Sequence, residues 1–148
     1  MWYNPHADHF QNKGVNMQKI IALLLTGLLV LCGCVFPSPQ ETAQGYRQIT
    51  PAEAYTLMKL NRNCIILDVR TRAEFAEGHI PGAICIPNET IGDAAPEALP
   101  DKDRLILVYC RSGNRSKQAS AKLAGLGYTN IVEFGGIRDW TGPVTYGY

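Results

Sequence analysis

Short apolar runs alternate with more polar, helix-like segments between residues 50 and 140 of the chain. Four runs are rich in Ile, Val and Leu and are bounded by polar or turn residues: CIILDV (64–69), AICI (83–86), RLILVY (104–109) and NIVEF (130–134). Runs of this length and composition are typical of strands that are buried on both faces of a sheet. The pattern therefore predicts four strands here.

Helix signals lie before, between and after these strands. Thr50, Pro51 and Glu53 form a capping-box pattern with proline at the first helical position, so a helix should begin at Pro51. Three further segments predict helices: TRAEFAEGH (71–79, ending at Gly78), SKQASAKLAGLGY (116–128, with Gly127 as C-cap) and GGIRDW (135–140). Strands that alternate with helices need crossover connections. The order therefore predicts an α/β fold whose parallel sheet is covered on both faces.

Composition and charge exclude few classes of protein. The chain has 148 residues, with 14 Lys and Arg against 13 Asp and Glu. This length is enough for one domain with a hydrophobic core. The near-neutral balance and the lack of a basic run give no indication of nucleic-acid binding. No group of His, Cys and Asp has the spacing of metal ligands, so we expect neither a metal nor another cofactor.

The N-terminal region has the features of a secretory signal. MQKIIALLLTGLLVLCGC (17–34) contains one lysine, then an apolar stretch, then small residues and a cysteine. Its last four residues, LCGC, resemble the lipobox of bacterial lipoproteins, in which the cysteine is lipidated and becomes the first residue of the mature chain. The resemblance implies lipid on Cys34, loss of Cys32 with the signal peptide, and a domain on the periplasmic face of a bacterial membrane.

These signals divide the chain into four parts. Residues 1–16 do not resemble the start of a signal, so we expect translation from Met17 and treat them as an extension. Residues 17–33 are the expected signal peptide, 34–48 the lipidated cysteine and a flexible tether, and 49–148 the folded domain. The alternative is an uncleaved membrane anchor, because the apolar run is about as long as the shortest bilayer span. Lysines ahead of it would still place the domain outside the cytoplasm.

VYCRSGNRS (108–116) places a cysteine between the third strand and the following helix. Cys110 would lie against free backbone N–H groups at the positive end of a helix dipole. Arg111 and Arg115 add positive charge, and Gly113 permits the tight backbone that an anion cradle needs. Such settings lower a thiol pKa from about 8.5 to roughly 3.5–7.5. The segment predicts a reactive thiolate, and the alternative is a buried, inert cysteine.

Three segments in this order resemble the rhodaneses, the single-domain thiosulfate sulfurtransferases: LDVRTRAEFAEGHIPGAICIP (67–87), VYCRSGNRS (108–116) and FGGIRDW (134–140). The resemblance covers about residues 48–142 and implies a three-layer sandwich around a parallel sheet of about five strands. In that family a loop cysteine takes the sulfane sulfur of a donor as a persulfide and passes it to a nucleophile. Cys110 would be that catalytic nucleophile. An anionic donor would be held by the rest of the loop: Arg111, Ser112, Gly113, Asn114 and Arg115.

Four other residues in these segments have competing interpretations. Asp68 and Arg70 end a strand where the family lines the approach to the loop, which makes them candidate substrate-binding residues. A structural ion pair with hydrogen bonds to the backbone is nevertheless the favoured interpretation. His79 is expected to be a hydrogen-bonded turn residue, because transfer by a preformed thiolate needs no base. Trp140 is expected to pack in the core.

Loop length distinguishes this sequence from related enzymes. Phosphatases and arsenate reductases with a similar cradle have five residues between cysteine and arginine, whereas Arg115 follows Cys110 after four. The shorter loop resembles the sulfur-transferring members. The loop CRSGNR differs from those of the well-studied thiosulfate and mercaptopyruvate enzymes, so the loop sequence does not identify the sulfur donor. Two arginines favour thiosulfate, and a polysulfide or protein persulfide would also suit. WTGPVTYGY (140–148) is shorter than the terminal helix and tail usual in the family, which predicts a less covered part of the sheet.

The sequence thus predicts a lipid-anchored, extracytoplasmic sulfurtransferase. It would move sulfane sulfur from a small anionic donor, thiosulfate or polysulfide, to a thiol or cyanide through a Cys110 persulfide. A non-catalytic rhodanese-like binding module is the first alternative, which the retained loop cysteine disfavours. The second is a thiol redox protein in which Cys110 pairs with Cys64 or Cys85. Both of these are otherwise expected to be inert thiols within strands.

Overall fold

A five-stranded parallel sheet is at the centre of the computed structural model, which describes residues 45–148. Numbered in chain order, the strands are β1 (Arg47–Gln48), β2 (Ile65–Asp68), β3 (Ala83–Cys85), β4 (Ile106–Cys110) and β5 (Ile131–Gly136). Their order across the sheet is β1-β5-β4-β2-β3, and every neighbouring pair is parallel. The four apolar runs all form strands, and the predicted α/β fold is confirmed.

Within residues 45–148, three helices and two short 3-10 helices accompany the strands: α1 (Pro51–Leu60), α2 (Arg72–Ala76), α3 (Asn114–Gly125), and the 3-10 helices Asn88–Thr90 and Ile137–Asp139. The capping box at Thr50 is present, with both reciprocal hydrogen bonds to Glu53. A second capping box joins Thr71 and Glu74 at the start of α2. Gly127 follows the C-cap residue of α3 with a φ of 87°, so it takes the left-handed conformation that allows the chain to turn towards β5.

The core has two layers, one on each face of the sheet. The layer under α3 includes Leu67, Val69, Val108 and Cys110. The layer under α1 contains Ala54, Leu107, Tyr109 and Phe134, among others. Successive residues of a strand point to opposite faces, so β4 supplies both layers and is buried along its whole length. Cys110 therefore belongs to the α3 face.

The first strand corrects the predicted extent of the tether. Arg47 and Gln48 pair with Val132 and Glu133 of β5, and Tyr46 before them is buried. The end of the expected 34–48 tether is thus part of the domain. A strand of two polar residues has no apolar run to reveal it, because it is formed by backbone hydrogen bonds to the edge of β5. Residues 1–16, the signal 17–33, Cys34 and the remainder of the tether lie outside the described residues.

The last residues of the chain return to α2. The His79 and Thr145 backbones form a two-way bridge, and the Gly147 N–H donates to Ala76 O at 2.9 Å. A groove of about 370 Å³ beside this tail reaches the sheet at Ile66. Part of the α1 face is therefore open to solvent. Within residues 45–148 no helix has both the length and the apolar character needed to cross a membrane.

Candidate active site

Cys110 is the last residue of β4, and the loop that follows it leads directly into α3. Only 1 % of Cys110 is exposed, and its Sγ accepts a hydrogen bond of 3.1 Å from the Gly113 N–H. Gly113 is the N-cap of α3 and has a φ of 96°. A side chain is strained in that conformation, so glycine allows the loop to fold back over the sulfur. We call residues 110–115 the Cys110 loop.

Two opposing effects act on the Cys110 thiol. Burial raises its pKa, because a thiolate is poorly solvated inside a protein. The nearby Ser116 hydroxyl and the backbone N–H groups of Ser116, Ser112 and Gly113 lower the pKa, and together they outweigh burial. The result is a pKa below that of an ordinary cysteine. A lowered pKa favours the thiolate, which is the nucleophilic form of cysteine.

The two arginines of the loop have different surroundings. Arg115 donates from Nη1 and Nη2 to the two carboxylate oxygens of Glu74 on α2, each at 2.8 Å. These hydrogen bonds are the main reason that the pKa of Glu74 is lowered to about 2. Arg111 is exposed and forms no ion pair within the described part of the chain. Ser112 and Asn114 are also exposed, so one free guanidinium and two polar side chains line the outer surface of the loop.

Gly136 at the end of β5 lies against the inner side of the loop. A Cβ at this position would lie 2.6 Å from Ser112 Cα and still closer to the Arg111 carbonyl oxygen, where no side chain fits. Gly136 pairs with Cys110, and the ladder between β4 and β5 is irregular at this point. The Arg138 N–H also donates to Arg111 O at 3.3 Å. The GG pair is therefore a packing surface for the loop.

A serine and a glutamate beneath the loop were not singled out from the sequence. Ser116 Oγ donates to Glu133 Oε1 at 2.6 Å, and the same carboxylate oxygen accepts the Gly135 N–H at 2.8 Å. Both side chains are buried, with Ser116 fully so. The charged residue within the apolar run NIVEF was the available signal, because a charge is rarely buried in a strand without a specific partner.

Comparison with protein families identifies this arrangement. The model of the rhodanese-like domain family matches residues 50–142, which include α1, the Cys110 loop and the turn after β5. The chain belongs to the rhodanese-like domain family. The five-stranded sheet is the rhodanese-like α/β sheet expected from the resemblance.

Two curated relatives are thiosulfate sulfurtransferases. The thiosulfate sulfurtransferase PspE of Escherichia coli is 36% identical over 81 residues, covering 55% of this chain and 78% of its own. The thiosulfate sulfurtransferase GlpE of Pseudomonas entomophila is 33% identical over 96 residues, and the match covers 64% of this chain and 84% of GlpE. These relatives support a rhodanese-type sulfurtransferase, so the rhodanese-like domain described here is that of a transferase.

Two solved structures share the rhodanese-like fold. A rhodanese with anions from E. coli has 35% sequence identity and a TM-score of 0.52, and the match covers 56% of this chain and 98% of that one. The rhodanese-like domain of a protein from Anabaena sp. has 30% identity and a TM-score of 0.60, with coverage of 67% and 78%.

Asp68 and Arg70 are not brought to the loop of this rhodanese-like domain. The Arg70 Nε, Nη2 and backbone N–H donate to the Asp68 carboxylate at 2.6 to 3.0 Å, and Nη2 also donates to Gly78 O at 2.7 Å. Leu67 and Val69 point to the α3 face, so Asp68 between them points to the opposite face. The favoured structural interpretation, a buried ion pair that also bonds the backbone, is what the structure shows.

The two other cysteines among residues 45–148, Cys64 and Cys85, are free thiols. Cys64 lies just before β2, at the opposite end of the sheet from Cys110. Cys85 on β3 is in register with Asp68, which is in register with Tyr109, so two strand spacings, about 10 Å, separate it from β4. A disulfide needs Cα atoms within about 7 Å, which disfavours pairing with Cys110. Burial raises the pKa of Cys64 and Cys85.

His79 and Trp140 have structural surroundings. His79 is buried, stacks on the Phe75 ring with centroids 3.6 Å apart, and has Nδ1 2.9 Å from Phe75 O. Trp140 packs against Tyr55 and Phe134. Among the described residues, no group of three or more His, Cys, Asp and Glu side chains could hold a metal ion.

Proposed function

We propose that this rhodanese-like domain moves sulfane sulfur from thiosulfate, or from a related anionic donor, to a thiol or cyanide through a persulfide on Cys110. The observation that carries the proposal is the Cys110 sulfur, which is held by the Gly113 N–H at the N-terminus of α3 and has a lowered pKa. A thiolate is the nucleophilic form of cysteine. The relatives named thiosulfate sulfurtransferase support thiosulfate as the first donor to test.

The reaction balances without a cofactor. The Cys110 thiolate attacks the outer sulfur of thiosulfate, the S–S bond of the donor breaks, and sulfite leaves with the bonding electrons. Cys110 then carries a persulfide whose negative charge is on the outer sulfur. An acceptor such as cyanide attacks that sulfur, thiocyanate leaves, and the Cys110 thiolate is restored.

The loop offers two kinds of contact to the donor. Its backbone N–H groups point into the cradle at the start of α3, and the exposed Arg111 adds one unpaired positive charge near the opening. The ion pair with Glu74 offsets the charge of Arg115. We therefore assign donor binding to the loop amides and Arg111, with Ser112 and Asn114 beside them.

Intact mass of the full chain after exposure to thiosulfate tests this proposal. We expect a gain of one sulfur, about 32 Da, that cyanide removes. The gain should be absent in Cys110→Ser and present in Cys85→Ser, the matched control on a neighbouring part of the sheet. A sulfur gained equally by Cys110→Ser would contradict the assignment. If Cys110 gains no sulfur from thiosulfate but still reacts with iodoacetamide, thiosulfate is excluded as the donor.

We also propose that the chain is held outside the cytoplasm by lipid on Cys34. Support comes from residues 17–34, with their single lysine, apolar stretch and LCGC ending. The intact mass of the chain isolated from bacterial membranes tests this. A chain that begins at Cys34 and carries added acyl mass is expected. An unmodified chain that still contains residues 17–33 would favour the uncleaved anchor.

A further inference from the structure

The carboxylate of Glu74 reaches the Cys110 loop from a different part of the chain. Glu74 lies on α2, in the connection between β2 and β3, whereas Arg115 is the second residue of α3. The Arg115 Nη1 and Nη2 atoms each donate to one oxygen of the Glu74 carboxylate at 2.8 Å. Such two-point contacts are the strong form of the arginine–carboxylate interaction. These two nitrogens are therefore not free to bind an anionic donor.

Glu74 is held in place independently of Arg115. Its Oε2 accepts hydrogen bonds from the Thr71 N–H at 3.0 Å and from the Thr71 hydroxyl at 3.1 Å, as part of the capping box of α2. The hydroxyl of Tyr148 donates to Arg72 O at 3.2 Å, so the end of the chain is bound to the start of the same helix. A carboxylate that is already ordered loses little freedom when it binds a partner, which favours the ion pair.

The loop therefore presents less positive charge to a donor than its two arginines indicate. Arg111 is exposed and forms no ion pair within residues 45–148, so its charge is available. The charge of Arg115 is balanced by Glu74, which raises the pKa of Arg115 through hydrogen bonds, and the exposed Glu89 adds to this effect through space. The attacking Cys110 thiolate is itself negative. The second charge of a dianionic donor is thus left without a partner.

We infer that Glu74 is a positioning residue that holds Arg115 and thereby shifts the specificity of the Cys110 loop from dianionic donors towards donors with one negative charge. The inference rests on the proposed function and names its donor class: a persulfide, R–S–S⁻, or a hydropolysulfide. The Cys110 thiolate attacks the outer sulfur of R–S–S⁻, the S–S bond breaks, and R–S⁻ leaves with the bonding electrons. The charge balances, and the step needs no oxidant or reductant.

Two donors that differ in charge test the inference on the full chain. Methanethiosulfonate has a methyl group in place of one oxygen of thiosulfate, carries one negative charge instead of two, and releases methanesulfinate when it gives up its outer sulfur. The donor ratio is the second-order rate constant of sulfur gain from thiosulfate divided by that from methanethiosulfonate, both measured by intact mass. A disordered loop slows both reactions, so the ratio isolates the effect of charge.

Glu74→Gln releases Arg115 and retains a residue that suits the capping box of α2. We expect the donor ratio to rise roughly fivefold, because the released guanidinium binds the second charge of thiosulfate. An unchanged or lower ratio would overturn the inference.

Glu89→Gln is the matched control for Glu74→Gln. It removes the same charge near Arg115 but leaves the ion pair with Glu74 intact. Its donor ratio should stay within about twofold of the wild type, because exposed charges that are not in contact interact weakly. A rise as large as that of Glu74→Gln would show that any nearby carboxylate has this effect, and holding Arg115 would not be the cause.

A double variant shows whether Glu74 acts through Arg115. Arg115→Gln leaves the Glu74 carboxylate without its partner, so the donor ratio should fall below that of the wild type. In Glu74→Gln/Arg115→Gln both charges are absent, and the ratio should return to the wild-type value. A double variant that kept the rise of Glu74→Gln would show that Arg115 is not involved. A ratio below the wild type would show that Arg115 binds the donor despite the ion pair. Either result overturns the inference.

A second measurement does not depend on sulfur transfer. Sulfate and methanesulfonate are unreactive anions that differ in charge as the two donors do, and either one bound in the loop should slow alkylation of Cys110 by iodoacetamide. The mass of the Cys110 peptide separates this thiol from Cys64 and Cys85. Glu74→Gln should strengthen protection by sulfate roughly fivefold relative to methanesulfonate. Equal changes for both anions, or no protection by either, would contradict the inference. Failure of sulfur gain from both donors would instead count against the proposed function.

Discussion

Arg115 and Arg111 are neighbours of the same thiol but contribute differently to its surroundings. Arg115 is tied to Glu74 by two hydrogen bonds of 2.8 Å, whereas Arg111 is exposed. The ion pair joins α2 to the start of α3, so it fixes the loop more than it attracts an anion. From the sequence alone, both arginines are expected to attract the anionic donor with their positive charge. The sequence could not reveal the pair, because Glu74 and Arg115 are 41 positions apart.

Glu74 should make the stability of the domain depend on pH in the acid range. Its pKa in the folded state is about 2, below the ordinary value of 4.5, so its contribution is fully present above about pH 4.5 and is lost as the pH falls towards 2. Relative to Glu74→Gln, the wild type should be more stable by about 1 kcal/mol at neutral pH. Urea unfolding at pH 7 and at pH 2.5 measures the difference, which should shrink in acid.

Glu77→Gln is the control for this measurement, because Glu77 is exposed, three residues away, and outside the Arg115 ion pair. Its stability relative to the wild type should not change with pH in the same way. A Glu74→Gln difference that is the same at both pH values would contradict the role given to the ion pair.

At the scale of elements, β5 and the Cys110 loop approach each other closely at Gly136. Glycine has no Cβ, so two backbone segments can come closer together at a glycine than at any other residue. The loop backbone crosses Gly136 where a Cβ would overlap Arg111 and Ser112. The position of the cradle relative to the sheet therefore depends on the end of β5 as well as on the loop sequence.

Gly136→Ala should displace the loop and slow persulfide formation from thiosulfate by roughly tenfold to a hundredfold, since small displacements of reacting groups have effects of this size. The measurement is the rate of sulfur gain by mass spectrometry under single-turnover conditions. Gly92→Ala is the matched control, because a Cβ at position 92 would have no other atom within 4 Å. An alanine at position 136 that left the rate unchanged would show that the loop tolerates displacement.

The elements that sequence reasoning located correctly are those with local signals. The capping box at Thr50 and the apolar runs of β2 to β5 depend on neighbours in the chain, and all of them are present. β1 was placed in the tether because its two polar residues form a strand only through β5. In the site, Cys110 and its loop could be predicted for the same local reason. Ser116, Glu133 and Gly136 owe their roles to contacts between distant segments, which a pattern of residue types does not show.

Across the whole molecule, the two faces of the sheet have different roles. The α3 face holds Cys110, Ser116 and Glu133, which form a polar cluster around the sulfur. On the α1 face, the Arg70 and Asp68 pair joins β2 to the connection before β3 through Gly78 O, and the guanidinium lies 5.7 Å from the Tyr109 ring centroid. The reactive Cys110 and this buried ion pair thus lie on opposite faces of the sheet.

This separation predicts opposite effects for two arginine substitutions. Arg70→Met leaves the fully buried Asp68 without its counter-ion, so the free energy of unfolding should fall by roughly 3–5 kcal/mol. Arg111→Met removes an exposed charge and should change stability by no more than about 0.5 kcal/mol, while persulfide formation from thiosulfate slows. Urea unfolding and single-turnover sulfur gain, measured on both variants, separate the two roles. If Arg70→Met instead kept normal stability and lost its reaction with thiosulfate, Arg70 would be a substrate-binding residue, and the ion pair would have to open during the reaction.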